Sequence, residues 1–332
     1  SLSLEARAST LSTKDSTLNS TDRTGDYFGS SVSLDGNRLA VGAVRDDGQN
    51  NASSKSGAVY LFTFADSTFT SGSHVGTIGS GYNTQSKDYN QALTANDQFG
   101  HAVSLNGNRL AVSTYRNVER GTVPGKGEVY LYTFTDSSFS GAALAQTIGD
   151  GKSIDNQQIE DYDRFGSSVS LDGNRLVVGA ARGRGYNNCD GCSNADRSRV
   201  AASGEVYLYT FTNSAFDGGA HVGTIGFNYS GNKDINNQTP ANSDHFGSSV
   251  SLDGNRLAVG APRNEGFEGN WGNDKGKVYI YTFTNSSFSG GELETVIGHG
   301  FEGDNAVTQS LDNRDYFGWS VSLDGSWCCR AR

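Results

Sequence analysis

The side chains best able to do chemistry in this chain are its 4 Cys, 5 His and 36 Asp and Glu. Cys189 and Cys192 have the C-x-x-C spacing of a zinc half-site, in which one turn supplies two thiolates of a tetrahedral shell. The other half is missing, because Cys328 and Cys329 are adjacent, so a local disulfide pinning the loop is the expected state. His74, His101, His221, His245 and His299 are scattered, and His74 and His221 both precede the string V-G-T-I-G. The sequence has no H-x-x-x-H pair, no G-x-S-x-G elbow and no phosphate-binding glycine loop opening a helix. A glycosidase needs only two carboxylates at the right separation in space, which spacing in sequence does not test. No catalytic residue is assigned, and the chain is expected not to be an enzyme, with a glycan-cleaving activity kept as an alternative.

Composition narrows the classes further. The 332 residues carry a net charge of −10, with 44 Gly, 3 Pro, 35% hydrophobic and 19% charged residues. Nucleic acid and anionic membrane surfaces both require a basic face, so neither is an expected partner. No window approaches 18 consecutive apolar residues, so no membrane-spanning helix is expected. Methionine is absent even at position 1, and the first residues have neither a basic nor an apolar leader region, so we expect a piece of something longer.

The elements that position these residues are repeated. The string D-x-F-G occurs at Asp26, Asp97, Asp163, Asp244 and Asp315, with Phe28, Phe99, Phe165, Phe246 and Phe317 spaced by 71, 66, 81 and 71 residues. Each of the first four strings opens an alternating run, then a D-G-N-R or N-G-N-R turn, then a second run such as Arg175-Leu176-Val177-Val178, and the fifth reaches Asp324-Gly325. Asp-Gly between two such runs predicts a tight hairpin with a type I′ turn. A variable loop, a third run such as Val206-Tyr207-Leu208-Tyr209 and a short fourth run such as Gly223-Thr224-Ile225-Gly226 complete the unit. No segment has helical periodicity, so each unit is expected to be four antiparallel strands. Both alternating faces of the third run are large and apolar, so each sheet must be covered on both sides. Four-stranded sheets stacked face to face around an axis achieve this, which predicts an all-β propeller.

At these residues the chain resembles the FG-GAP repeat, the blade of integrin α-type propellers and of many bacterial surface proteins. Phe246-Gly247 with Gly260-Ala261-Pro262 carries the whole signature, Gly42-Ala43-Val44 and Gly179-Ala180-Ala181 carry most of it, and Ser113-Thr114-Tyr115 departs from it. The wording of the units is also similar to repeat arrays of large filamentous-haemagglutinin-type adhesins. The resemblance implies an extracellular or cell-surface setting and an adhesive or spacing role. Calcium-binding members of the family hold the ion in a D-x-D-x-D-G-type loop. Here the hairpin loop has one carboxylate, or none at Asn106, so calcium and other cofactors are not expected.

The expected organisation is residues 1–25 as strands that close the last blade, blades at 26–96, 97–162, 163–243 and 244–314, and a partial, composite or truncated fifth at 315–332. The tail after Gly325 breaks the pattern, and a plausible codon string read in another frame restores the second strand, so a frameshift is expected there. In an up-and-down blade the hairpin turn and the third connection share one end, while the second and blade-to-blade connections share the other. The second connections, near 44–56, 114–126, 181–203 and 262–275, hold the length variation, and variable loops on a rigid scaffold are where binding usually sits. Tyr186, Asp190, Glu268 and Trp271 are the residues expected to contact a ligand. The repeated Asp26, Asp97, Asp163, Asp244 and Asp315 are given scaffold duties, as are Phe28, Phe99, Phe165, Phe246, Phe317 and the hairpin arginines. The expected partner is a protein or glycan on a cell surface or matrix. Adhesion or spacing is the first reading, and a lectin-like propeller is the other alternative.

Overall fold

In the computed structural model each hairpin closes one residue later than the Asp-Gly signal implies. Asp35 pairs with Arg38, and Asp172 with Arg175, so the two loop residues are Gly-Asn. Only the glycine, at φ 61° for Gly36 and 56° for Gly173, has positive φ. This is the φ pattern of a type II′ turn rather than the expected I′. The shift leaves the aspartate on the strand, where its carboxylate is free to reach sideways.

The structure describes residues 25–115, 126–155, 159, 162–184, 202–227, 229, 231, 233–237, 243–264, 274–300 and 306–325. Among them are no α-helices, one 3₁₀ turn at Gln49–Asn51 and four sheets. The first sheet comprises β1 (Phe28–Asp35), β2 (Arg38–Ala43), β3 (Ala58–Thr63), β4 (Ser73–Gly79) and β5 (Tyr89–Asn90). The second comprises β6 (Val103–Asn106), β7 (Arg109–Thr114), β8 (Glu128–Thr133), β9 (Ala143–Gly149) and β10 (Ile154–Asp155). The third runs β11 (Phe165–Asp172), β12 (Arg175–Ala180), β13 (Glu205–Thr210), β14 (Ala220–Gly226) and β15 (Ile235–Asn236). The fourth runs β16 (Ser249–Asp253), β17 (Arg256–Ala261), β18 (Lys277–Thr282), β19 (Glu292–Gly298) and β20 (Ala306–Thr308). Strands follow one another across each sheet in chain order, the signature of propeller blades. The expected four antiparallel strands are present. A short fifth, parallel to the fourth, extends the outer edge, as Ile225 opposite Ile235 illustrates.

The described residues fall into two compact units, one within 25–115 and 132–144, the other within 126–131 and 145–325. Within the second unit both faces of the third strand are covered, with Val206, Tyr207, Leu208 and Tyr209 all fully buried. Burying such a run contributes roughly 1.5–3 kcal/mol per large side chain. Phe165 and Phe246 are also fully buried, each meeting its own third-strand tyrosines edge to face. Phe28 departs from that role. Its ring meets Tyr60 at 5.5 Å, yet the residue is 45% exposed, as are Val32 at 53% and Leu34 at 45%, because no described blade precedes β1.

Within each unit, adjacent blades are joined by hydrogen bonds between the first strand of one and the first hairpin of the next. Ser31 Oγ donates to the Gly100 carbonyl at 2.7 Å, Leu105 N–H donates to Ser33 Oγ at 2.9 Å, and Gly107 N–H donates to Asp35 Oδ2 at 2.8 Å. In the second unit Ser168, Ser170 and Asp172 make the same three bonds to Gly247, Leu252 and Gly254. Ser249 and Ser251 repeat the first two toward Gly318 and Leu323. The backbones approach closely enough that a Cβ at Gly42, Gly179 or Gly260 would lie 2.1, 2.0 or 1.9 Å from the next blade's FG carbonyl oxygen. The second blade exchanges the pair: Ala102 stands in the serine place and Ser113 in the glycine place, with Ser113 Oγ accepting Ala102 N–H at 2.9 Å.

Candidate binding face

The hairpin end is committed to the scaffold. Asp35 and Asp172, whose carboxylates receive the next blade's N–H, also pair with the repeated arginines, at 2.5 Å for Arg38–Asp35 and for Arg175–Asp172, and Arg256 pairs with Asp253 at 2.6 Å. The guanidinium of Arg38 then lies 5.5 Å from the Phe139 ring centroid, and that of Arg175 lies 5.5 Å from Phe288. Both rings belong to third connections of the following blade, so within each unit the hairpin end ties neighbouring blades together. Among the described residues no group of three or more His, Cys, Asp or Glu side chains is placed to hold a metal.

The opposite end gathers the second connections and the links between blades. In the first blade, Gln49 N–H donates to the Ser80 carbonyl at 2.9 Å and Asn96 N–H to the Ser54 carbonyl at 2.9 Å, which ties the two kinds of loop together. Tyr186, Asp190, Glu268 and Trp271 lie outside the described residues, and so do Cys189, Cys192, Cys328 and Cys329.

Beneath those loops lies a buried polar layer that sequence reading did not find. Asp46, 2% exposed, accepts the phenol protons of Tyr60 at 2.6 Å and Tyr82 at 3.0 Å and the Gly48 N–H at 2.8 Å. In the third blade Glu205 Oε2 accepts Tyr207 at 2.6 Å and Tyr229 at 2.8 Å. The tyrosines hold equivalent places, but the carboxylate comes from the loop in one blade and from the third strand in the other, where the first has Ala58. The second blade replaces the outer tyrosine by Lys152, which pairs with Glu128 at 3.0 Å. The fourth has Lys277 in the acid's place, 5.3 Å from the Tyr279 ring centroid. A buried charge is kept only with such partners.

Burial and then the Glu205 charge push the Tyr207 and Tyr229 phenols well above their ordinary range. Burial lowers Lys277 to about 8, against the attraction of Asp244. His221 is also lowered by burial; like His74, its ring bonds a threonine hydroxyl at 3.0 Å and lies against third-strand aromatics.

The D-x-F-G aspartates lie at this end too. Asp97 accepts Thr94 N–H at 2.7 Å and its hydroxyl at 2.9 Å, Asp315 accepts Asp312 N–H at 2.8 Å, and Asp244 accepts the Asn264 amide at 2.6 Å. The carbonyls of Asp26, Asp163 and Asp244 receive the N–H groups of Arg45, Arg182 and Arg263.

A five-stranded blade with an FG carbonyl clasped by the preceding blade is the construction of a propeller repeat. The FG-GAP repeat family matches residues 18–62, 93–132, 158–209 and 239–281, more than half of the chain, and the protein belongs to that family. A search of curated proteins found no match. FG-GAP repeats occur in adhesion and ligand-binding domains, are typical of extracellular proteins and are generally non-enzymatic. No helix among the described residues is long and apolar enough to cross a membrane.

Proposed function

We propose that this chain is a non-enzymatic extracellular repeat domain that adheres to a protein or glycan ligand on a cell surface or matrix through its loop-rich end. One observation carries this reading: the two ends of the blades are used differently. At the hairpin end the aspartates and arginines serve the lattice, and the loops keep one length. At the other end a shared buried layer supports connections that differ in length and side chains from blade to blade. Tyr186, Asp190, Glu268 and Trp271 are the proposed contacts. Several such loops side by side add weak contacts into useful avidity. No cofactor enters the proposal.

The test is binding of the 332-residue chain to immobilised matrix proteins and to a glycan array, compared with a Tyr186→Ala, Glu268→Ala, Trp271→Ala variant. A tenfold or greater loss of binding with unchanged melting temperature supports the reading. Undiminished binding by the loop variant, or polysaccharide turnover that a single carboxylate substitution abolishes, refutes it.

A further inference from the structure

Two positions can supply a carboxylate to the buried layer, and the fourth blade fills both with other chemistry. Asp46 lies three residues beyond β2, and Asn264 lies three residues beyond β17. Glu205 opens β13, and Lys277 opens β18. Although Asp46 and Glu205 come from these different positions, each bonds the hydroxyl of its third-strand tyrosine, Tyr60 or Tyr207, at 2.6 Å. Side chains leaving the two positions therefore reach one point. The third blade shows how close they run, because it has Gly183 at the loop position, and a Cβ there would lie 2.5 Å from the Glu205 carboxyl carbon.

In the fourth blade Asn264 and Lys277 both enter that space, and Gly276 N–H fixes their backbones by donating to the Asn264 carbonyl at 2.9 Å. Lys277 Nζ lies 5.3 Å from the ring centroid of Tyr279, the counterpart of Tyr60 and Tyr207. Asp244 completes the cluster. Its Oδ2 accepts the Asn264 side-chain N–H at 2.6 Å, and its charge attracts that of Lys277. Asp244, Asn264 and Lys277 are 1%, 4% and 4% exposed, so amine, amide and carboxyl group meet out of water. With the amine lowered by burial to about 8, about a tenth of it is neutral at pH 7, and the neutral form is the nucleophile.

We propose that Lys277 and Asn264 join in an intramolecular isopeptide bond, with Asp244 as the proton carrier. The neutral Nζ attacks Asn264 Cγ. The proton lost by the amine passes to Asp244, whose Oδ2 already lies on the leaving nitrogen, and from there to Nδ2. The Nζ–Cγ bond forms, the Cγ–Nδ2 bond breaks and one ammonia leaves, with no oxidant or cofactor consumed. The amide formed does not titrate, so the lowered amine belongs to the chain before closure. Closure staples the base of the second connection, which carries Glu268 and Trp271, and restricts that loop as a disulfide would. It does not depend on what the loop binds.

Intact-mass spectrometry of the purified full chain, held folded near neutral pH, reads the reaction. Wild type is expected about 17 Da, one ammonia, below the mass of its sequence. Trypsin is then expected to release a branched peptide joining 264–275 to 276–314, with no cleavage after Lys277. Lys277→Met, Asn264→Ala and Asp244→Asn are each expected at their full sequence masses. A wild-type chain at its full mass overturns the proposal, and this measurement needs no variant to fold. A deficit that persists in Lys277→Met overturns it too, as does one that maps to a succinimide at Asn106-Gly107.

Discussion

Substituting Gly179 by alanine tests the blade stacking directly. The added Cβ would lie 2.0 Å from the Gly247 carbonyl oxygen and 2.5 Å from Ser168 Oγ. Those two atoms are the partners of a 2.9 Å hydrogen bond between blades. Relief requires the two backbones to part by about 1 Å, a distance at which that bond is lost. Overpacking costs about 1–3 kcal/mol, and a lost hydrogen bond about 0.5–1.5 kcal/mol, so the expected destabilisation is about 2–4 kcal/mol. A unit of this size then melts roughly 4–16 °C lower. The second blade supplies a control, because it has alanine and serine in the two places. Gly179→Ser combined with Ser168→Ala, which installs that pair, is expected to cost less than Gly179→Ser alone, a coupling of about 1 kcal/mol. Urea unfolding followed by fluorescence measures both. A Gly179→Ala midpoint within about 0.5 kcal/mol of wild type would refute the close approach and the stacking built on it.

Three further outcomes follow from the buried layer. Tyr229→Phe removes one of the two phenol donors to Glu205 and is expected to cost about 1.5–3 kcal/mol in urea unfolding, since bonds to charged acceptors are the stronger kind; a neutral result would place the Glu205 carboxylate in water. Lys277 has a folded pKa of about 8 against the ordinary 10.5, so between those values the unfolded chain binds more protons and stability rises with pH, by up to about 3 kcal/mol. Lys277→Met is expected to abolish that rise, measured as melting temperature from pH 7 to 10.5. Asn237 stands in a glycosylation sequon, yet it is 4% exposed and donates to the Tyr281 hydroxyl at 2.7 Å. Expressed in a glycosylating host, it is expected to remain bare in glycopeptide mass spectrometry, and full occupancy would contradict its burial.

The blade was legible because its signals are local. Phe-Gly, alternation and a Gly-containing turn each act within a few residues, and five appearances of D-x-F-G fix their register. The fifth strands escaped because Tyr89–Asn90, Ile154–Asp155 and Ile235–Asn236 are too short for any periodicity. The turn was misread by one residue because Asp-Gly-Asn permits either pairing, and the choice is made by Asp35 engaging Arg38 and Gly107 rather than by its own φ. Ser168 and Ser170 look like an ordinary polar face of a strand. Their partners, Gly247 and Leu252, are 79 and 82 residues away, and nothing in one strand reveals them. At the candidate site the equivalence of Asp46 and Glu205 was hidden for a similar reason: different sequence positions supply one carboxylate to the same two tyrosines.

That equivalence explains how loops can diverge on a repeated blade. A carboxylate under the outer loops must satisfy two phenols, and its origin does not matter to them. Where the third strand supplies it, as Glu205 does, the second connection is released from that duty. Where the strand offers Ala58, the connection itself must bring Asp46, and that loop is folded tightly on its own carboxylates, with Gly48 and Lys55 N–H groups bonded to Asp46 and Asp47. Replacing Ala58 by glutamate and Asp46 by alanine should therefore move the acid from loop to strand with little loss of stability, while Asp46→Ala alone removes the charged acceptor shared by two buried phenols, whose hydroxyls lie 3.2 Å from each other, and costs about 1–3 kcal/mol. If the double variant unfolds as readily as the single one, the carboxylates are not interchangeable, and the loops owe their variety to something other than release from the scaffold.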